Sequence, residues 1–62
     1  MTKQIAEFKN DDLTVVATVT KEYSKTYGTT FELEVETDFG ISTHDFPKVE
    51  DAISAAKSAC GV

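Results

Sequence analysis

Within the segment from Thr29 to Phe39, carboxylate side chains recur at every second position from residue 32 to residue 38. They belong to Glu32, Glu34, Glu36 and Asp38, and they alternate with apolar or threonine side chains. Alternate residues of a β-strand share a face, so we expect these carboxylates to form a row spaced by roughly 6.5 to 7 Å. Such a row can dock the lysine and arginine side chains of a partner protein. It can equally serve as a solvated face that keeps a small protein soluble.

Two tyrosines flank a predicted hairpin loop that runs from Tyr23 to Gly28. Tyr23 and Tyr27 are candidate contact residues, because tyrosine is enriched at protein interfaces and buries a large area at low entropic cost. Alternatively, the two rings cap the end of the hydrophobic core and keep their hydroxyl groups in water. With the carboxylate row, these tyrosines complete the set of candidate partner-binding residues.

Cys60, His44 and Asp45 supply the residue types of a thiol nucleophile, a base and an orienting acid. However, His44 and Asp45 are adjacent in a predicted strand, so their side chains should point to opposite faces. We instead interpret Cys60 as a small buried residue and His44 as a surface residue. The sequence therefore favours a protein that is not an enzyme.

Two segments resemble known metal-binding motifs but lack the spacing or the neighbouring loops that those motifs require. Asp38, Phe39 and Gly40 match the tripeptide that holds magnesium in protein kinases, but the glycine-rich and catalytic loops of kinases are missing from the sequence. The segment from Asn10 to Asp12 lacks the spacing of a calcium-binding EF-hand loop. We interpret both segments as turns, and we expect no cofactor and no metal site.

Length and charge limit the classes of function. The chain has 62 residues, one cysteine and a net charge of -5, and all six of its basic residues are lysines. It is long enough for one small domain without an internal disulfide. An acidic chain without arginine is poorly suited to nucleic acid or to anionic membranes, so we expect neither partner. The unpaired cysteine and the absence of a long apolar run favour a cytoplasmic protein.

Alternation of apolar and polar residues predicts four strands. The turn signals between them include Gly40 and, separately, the polar cluster that follows Lys9. Leu13, Val15, Ala17 and Val19 form the apolar set of the second strand. The first strand has the weakest pattern. The predicted strands run from Gln4 to Lys9, from Leu13 to Thr20, from Thr29 to Phe39 and from Ile41 to Phe46.

Beyond Pro47 the apolar period changes from two to 3.6, which predicts an amphipathic helix. Pro47 suits the first turn of this helix, and Gly61 suits its C-terminal cap. We therefore predict an α+β fold, in which one face of a small antiparallel meander of three to four strands packs against a single C-terminal helix. The predicted core combines Leu13, Val15, Ala17, Val19, Phe31, Leu33 and Val35 of the sheet with Val49, Ala52, Ile53 and Ala56 of the helix.

In size, acidity and layout the chain resembles the short proteins that bacteriophages encode to bind and block a host component. This likeness implies a non-enzymatic inhibitor or adaptor that docks on a basic surface of another protein. The alternative is a homo-oligomer that binds a small ligand, such as a nucleotide or metabolite, at its subunit interface. If the first strand pairs weakly, the second strand has an open edge, and we then expect a homodimer or strand addition to a partner's sheet.

Overall fold

A computed structural model describes residues 2–62 of the chain. It contains a four-stranded antiparallel sheet whose strands follow chain order, with one helix packed on a single face. This arrangement confirms the predicted α+β meander. The elements are β1 (Thr2–Lys9), β2 (Val16–Ser24), β3 (Gly28–Thr37), β4 (Gly40–Phe46) and α1 (Val49–Cys60).

The connection between β1 and β2 is organised by the side chain of Asn10. Its Oδ1 accepts hydrogen bonds from the backbone N–H groups of Thr14 at 2.9 Å and Val15 at 3.0 Å. An asparagine side chain that bonds forward to the backbone stabilises a turn in place of a strand ladder. Leu13 lies inside this turn with φ 58, in the left-handed region. The backbone around Leu13 therefore forms a turn where the sequence pattern predicts the start of a strand.

The predicted strand from Leu13 to Thr20 is consequently displaced along the chain. In the structure it begins at Val16 and continues to Ser24. The side chain of Leu13 is 69% exposed, so its assignment to the core is wrong. Its apolar character fits the alternating pattern, but the Asn10 turn carries it away from the helix.

The hairpin of β2 and β3 supplies the centre of the core. Ala17 pairs with Val35, and Val19 pairs with Leu33, so these four side chains share the helix-covered face. Ala17 and Val19 are completely buried, and Leu33 is 2% exposed. The predicted alternation of β3 is thus confirmed in its central part, where an apolar residue faces inward at every second position.

The end of β3 differs from the prediction. The strand stops at Thr37, and Asp38 and Phe39 form a two-residue turn before Gly40, whose φ of 137 is a conformation that favours glycine. The Thr37 hydroxyl accepts a hydrogen bond from the Phe39 N–H at 3.1 Å. Phe39 is fully exposed in this turn, so the predicted extension of the third strand to Phe39 is wrong.

Helix α1 is confirmed, and its small residues contact the sheet. Ala52 and Ala56 are completely buried and Cys60 is nearly so, in one cluster with the inward-facing residues of β2 and β3. Gly61 caps the helix in the left-handed conformation, with φ 71. Lys48 occupies the N-cap, so Pro47 precedes the helix and does not lie in its first turn. The described part of the chain contains no helix of the length and apolar character needed to cross a membrane.

The first strand is longer and better paired than its sequence pattern predicts. β1 pairs with β2 from Thr2↔Glu22 to Lys9↔Val16, with one register shift between Gln4 and Ala6. β2 therefore has a neighbour on both sides, and the predicted open edge of β2 is wrong. The two edges of the sheet are β1 and β4.

Candidate functional site: the uncovered face of the sheet

The face of the sheet opposite α1 carries most of the carboxylates of the strands. Because Leu33 is buried beneath the helix, its neighbours Glu32 and Glu34 point the other way. We call this surface the acidic face and define it by its five carboxylate residues on β2, β3 and β4. They are Glu22, Glu32, Glu34, Glu36 and Asp45.

Cross-strand register places each glutamate of β3 in a row of neighbours. Glu34 lies between Thr18 on β2 and Thr43 on β4. Glu36 lies between Val16 and Ile41. None of these four neighbours carries a charge, as the sequence predicts for β2, so neither glutamate is neutralised across the ladder.

Glu32 has a different environment, because acidic residues lie on both sides of it. It pairs with Asp45 on β4, and Glu22 on β2 is close enough that carboxylate oxygens of all three residues lie within 4.8 Å of one another. Burial raises the pKa of Glu32, and the charges of Glu22, Asp45 and Glu34 raise it further; protonated Glu32 can also donate a hydrogen bond to Glu22, which acts in the same direction. These three carboxylates form the most concentrated negative charge on the acidic face.

A cluster of this kind suits a positively charged side chain. A lysine ammonium or an arginine guanidinium can bond several carboxylate oxygens at once. Calcium takes six to eight oxygen ligands, water included, so Glu22, Glu32 and Asp45 would supply part of such a set and water or a partner the rest. A basic side chain needs no further ligands.

Positive charge is scarce near these carboxylates. Within residues 2–62 the one salt bridge joins Lys9 Nζ to Glu7 Oε1 at 3.7 Å, at the β1 side of the same face. In that part of the chain no lysine lies within 4.0 Å of a carboxylate oxygen of the acidic face. The negative charge of the acidic face is consequently balanced by solvent, ions or a partner.

The structure divides the predicted contact residues among different places. Glu32, Glu34 and Glu36 share the acidic face, but Asp38 lies in the turn after β3 and is not part of the strand row. Tyr23 pairs with Thr29 and has the same parity as Ala17 and Val19, so it lies on the helix side of the sheet.

Tyr27 lies in the loop between β2 and β3. It is 82% exposed and Tyr23 is 61% exposed, so neither ring is enclosed as a cap on the core. The two tyrosines form an exposed tip beside the sheet, separate from the carboxylates.

Two members of the acidic face, Glu22 and Asp45, were not among the predicted contact residues. Glu22 follows Val16, Thr18 and Thr20 at every second position, so continuing β2 by two residues would have placed it on this face. The approach of Asp45 depends on the register of β3 with β4, which no local pattern contains.

Cys60 of α1 contacts the β1 edge of the sheet, whereas His44 lies on β4, at the other edge. The Cys60 thiol donates a hydrogen bond to the backbone oxygen of Phe8 on β1, at 3.4 Å. His44 is an exposed residue of β4, paired with Leu33. β1 and β4 are separated by three strand spacings, about 14 Å. The structure thus does not bring this thiol and this imidazole together.

No protein-family model, curated protein sequence or solved structure matches this chain.

Proposed function

We propose that this protein is a non-enzymatic binding protein whose acidic face docks on a basic surface of another protein. The observation that carries this proposal is the unbalanced charge of the acidic face: its five carboxylates on β2, β3 and β4 have no lysine of the described residues within 4.0 Å, whereas Glu7 on β1 is paired with Lys9. Holding like charges side by side costs free energy in the isolated protein. A partner that supplies lysine or arginine side chains removes that cost on binding.

The rest of the face suits a docking surface as well. Thr18, Thr20 and Thr43 lie between the carboxylates and offer hydroxyl groups without bulky side chains. Basic protein surfaces of the required kind occur on proteins that contact nucleic-acid phosphates. An acidic sheet can compete for such a surface, which is the action of an inhibitor or adaptor of phage type.

Charge reversal on the acidic face tests the proposal. We would immobilise the wild-type chain, the double variant Glu32→Lys/Glu34→Lys and the control Asp11→Lys/Asp12→Lys, and capture proteins from a bacterial lysate at low salt. The control changes the net charge by the same amount, but its sites lie in the exposed turn between β1 and β2. We expect the wild type and the control to retain the same basic proteins and the face variant to lose them.

The face variant should remain folded, because Glu32→Lys replaces a carboxylate that other carboxylates surround. Thermal melts of all three chains would verify this. Equal capture of the same proteins by the face variant and the wild type would contradict the proposal. Bound partners should also elute as the salt concentration is raised, since exposed charges are screened beyond about 10 Å at 0.1 M salt.

One observation favours the second candidate function, a homo-oligomer that binds a small ligand. An open cleft of about 240 Å³ lies at the turn between β3 and β4, where Phe39 and Ile41 are exposed. This volume is below the usual 300 to 1,000 Å³ of small-molecule sites, so a second copy would have to complete the pocket. Sedimentation and a thermal-shift panel of nucleotides and metabolites discriminate the two functions. A monomer that no ligand stabilises would contradict the homo-oligomer.

A further inference from the structure

The two edges of the sheet differ in how they are protected against strand addition. β1 carries Lys3, Glu7 and Lys9, and its register with β2 shifts between Gln4 and Ala6. Charged side chains and irregularities of this kind are common means of preventing a sheet edge from pairing with another chain. The β1 edge is therefore blunted.

The β4 edge has fewer of these protections, because Asp45 is its single carboxylate and its register is regular. β4 pairs with β3 without interruption from Phe31↔Phe46 to Thr37↔Gly40, and it contains neither lysine nor proline. Every residue of β4 except Phe46 is exposed. No other element of residues 2–62 lies beyond it in the sheet. β4 therefore presents a regular and accessible edge.

The backbone groups available on this edge follow from the adjoining turn. Asp38 and Phe39 form a two-residue hairpin loop, so the flanking residues Thr37 and Gly40 exchange backbone hydrogen bonds. Hydrogen-bonded and non-hydrogen-bonded pairs alternate along an antiparallel ladder. The N–H and C=O groups of Ile41, Thr43 and Asp45 consequently point away from β3. The side chains of these residues lie on the acidic face, opposite Glu36, Glu34 and Glu32.

We propose that β4 binds an extended segment of the partner as a fifth strand, and that this segment carries lysine or arginine at every second position. The inference rests on the proposed function and specifies how the partner is bound. An added strand lies about 4.8 Å from β4, so its basic side chains on the acidic face would lie beside Asp45. A lysine at that point also reaches Glu32, one strand further into the sheet.

Charge favours this occupant over a second copy of the chain. Each copy has a net charge of -5, and pairing two β4 edges would join two acidic faces into one continuous sheet. A basic segment instead places opposite charges beside each other while its backbone satisfies the outward groups of β4.

A defined peptide tests the inference. The probe is an eight-residue peptide of alternating lysine and threonine, with a glutamate–threonine peptide of the same length as its control. We would compare Thr43→Pro with Thr43→Val. Proline removes the outward N–H at position 43 and is compatible with an edge strand whose N–H faces solvent. Valine keeps that N–H, and melts of both variants verify that they fold.

We expect the lysine peptide to slow amide exchange at Ile41, Thr43 and Asp45 and the glutamate peptide to have no effect. Thr43→Pro should weaken binding of the lysine peptide by about tenfold or more, whereas Thr43→Val should bind as the wild type does. If the peptide binds Thr43→Pro and Thr43→Val equally, strand addition is wrong, and docking on the acidic face remains supported by the charge-reversal capture.

Two further outcomes would also overturn the inference. One is a lack of binding of the lysine peptide at millimolar concentration. The other is concentration-dependent protection of the β4 amides without peptide, since that result would assign the edge to a second copy. The charge-reversal capture tests the acidic face without requiring a free β4 edge, so failure of that experiment is distinguishable from failure here.

Discussion

At the scale of single residues, Leu13 combines an unfavourable backbone conformation with little compensating burial. Its φ of 58 lies in the left-handed region, and its side chain is 69% exposed. A side chain with a Cβ atom in this region costs roughly 1 to 2 kcal/mol, whereas glycine adopts it freely. The Asn10 turn holds Leu13 in this conformation.

We therefore predict that Leu13→Gly stabilises the protein. The gain should be at most about 1 kcal/mol, because glycine also has more conformational freedom to lose on folding. Urea unfolding measures it, and Leu13→Ala is the control because alanine keeps the Cβ atom. A loss of stability in Leu13→Gly but not in Leu13→Ala would contradict the prediction.

Glu32 is the residue whose ionisation the fold opposes. Burial and then the neighbouring carboxylates raise its pKa above the usual 4.5. The folded protein therefore binds this proton more tightly than the unfolded chain does. The resulting destabilisation is complete above the raised pKa, and it disappears as the pH falls through that pKa to 4.5 and below.

We predict that Glu32→Gln raises the free energy of unfolding at about pH 7 and has a smaller effect near pH 4.5. The gain should be less than about 1 kcal/mol, because Glu32 is partly exposed and its interactions are screened by solvent. Urea titrations at the two pH values measure it. Glu36→Gln is the control, since Glu36 lies between Val16 and Ile41 and not between carboxylates. An equal gain for both variants would show that net charge, and not the cluster, is responsible.

At the scale of secondary-structure elements, close packing of α1 on the sheet depends on small side chains. Ala52 and Ala56 are completely buried against the sheet, while Ala59 lies on the exposed side of the helix. Well-packed interiors leave little space for added methyl groups, so a larger residue at a buried site must displace the helix or adopt a strained rotamer.

We predict that Ala52→Leu destabilises the protein by roughly 1 to 3 kcal/mol through overpacking. Ala59→Leu makes the same chemical change on the exposed side of α1 and should alter stability by less than about 0.5 kcal/mol. Thermal or urea unfolding of the two variants measures the difference. If both variants were equally stable, the contact between α1 and β2 would be looser than the structure indicates.

At the scale of the whole molecule, the helix covers one side of the sheet and leaves most of the strand carboxylates on the other. The net charge of -5 is therefore unevenly distributed. Repulsion among exposed charges weakens as ionic strength rises, because the Debye length falls from about 30 Å at 0.01 M to about 10 Å at 0.1 M.

We predict that sodium chloride stabilises the protein, raising the melting temperature by a few degrees between roughly 0.01 and 0.1 M salt. Glu32→Lys/Glu34→Lys should reduce this salt dependence, because it removes like-charge repulsion from the acidic face. Melts at the two concentrations provide the comparison. A melting temperature that falls with salt would mean that attractive ion pairs dominate the surface.

Sequence alone determined the elements whose burial is periodic. Two local patterns indicate which side of an element faces the core: the central alternation of β3 and the apolar stripe of the helix from Ala52 to Cys60. The α+β meander and the direction of Glu32, Glu34 and Glu36 followed from these patterns. Tertiary structure decided which apolar side chains of the alternating pattern do not reach the core. Leu13 and Phe39 fit the alternation, but the chain turns before either reaches the helix.

Tertiary structure also decided which residues meet across strands. Glu22, Glu32 and Asp45 come from three strands, and their proximity depends on two registers that are set by turn geometry and by packing against the helix. The identity of the edge strands has the same origin. Because β1 pairs with β2 despite its weak pattern, the edges of the sheet are β1 and β4, and β2 has no open edge. A local pattern records the burial of a residue, whereas contacts between distant segments depend on how the whole sheet is assembled.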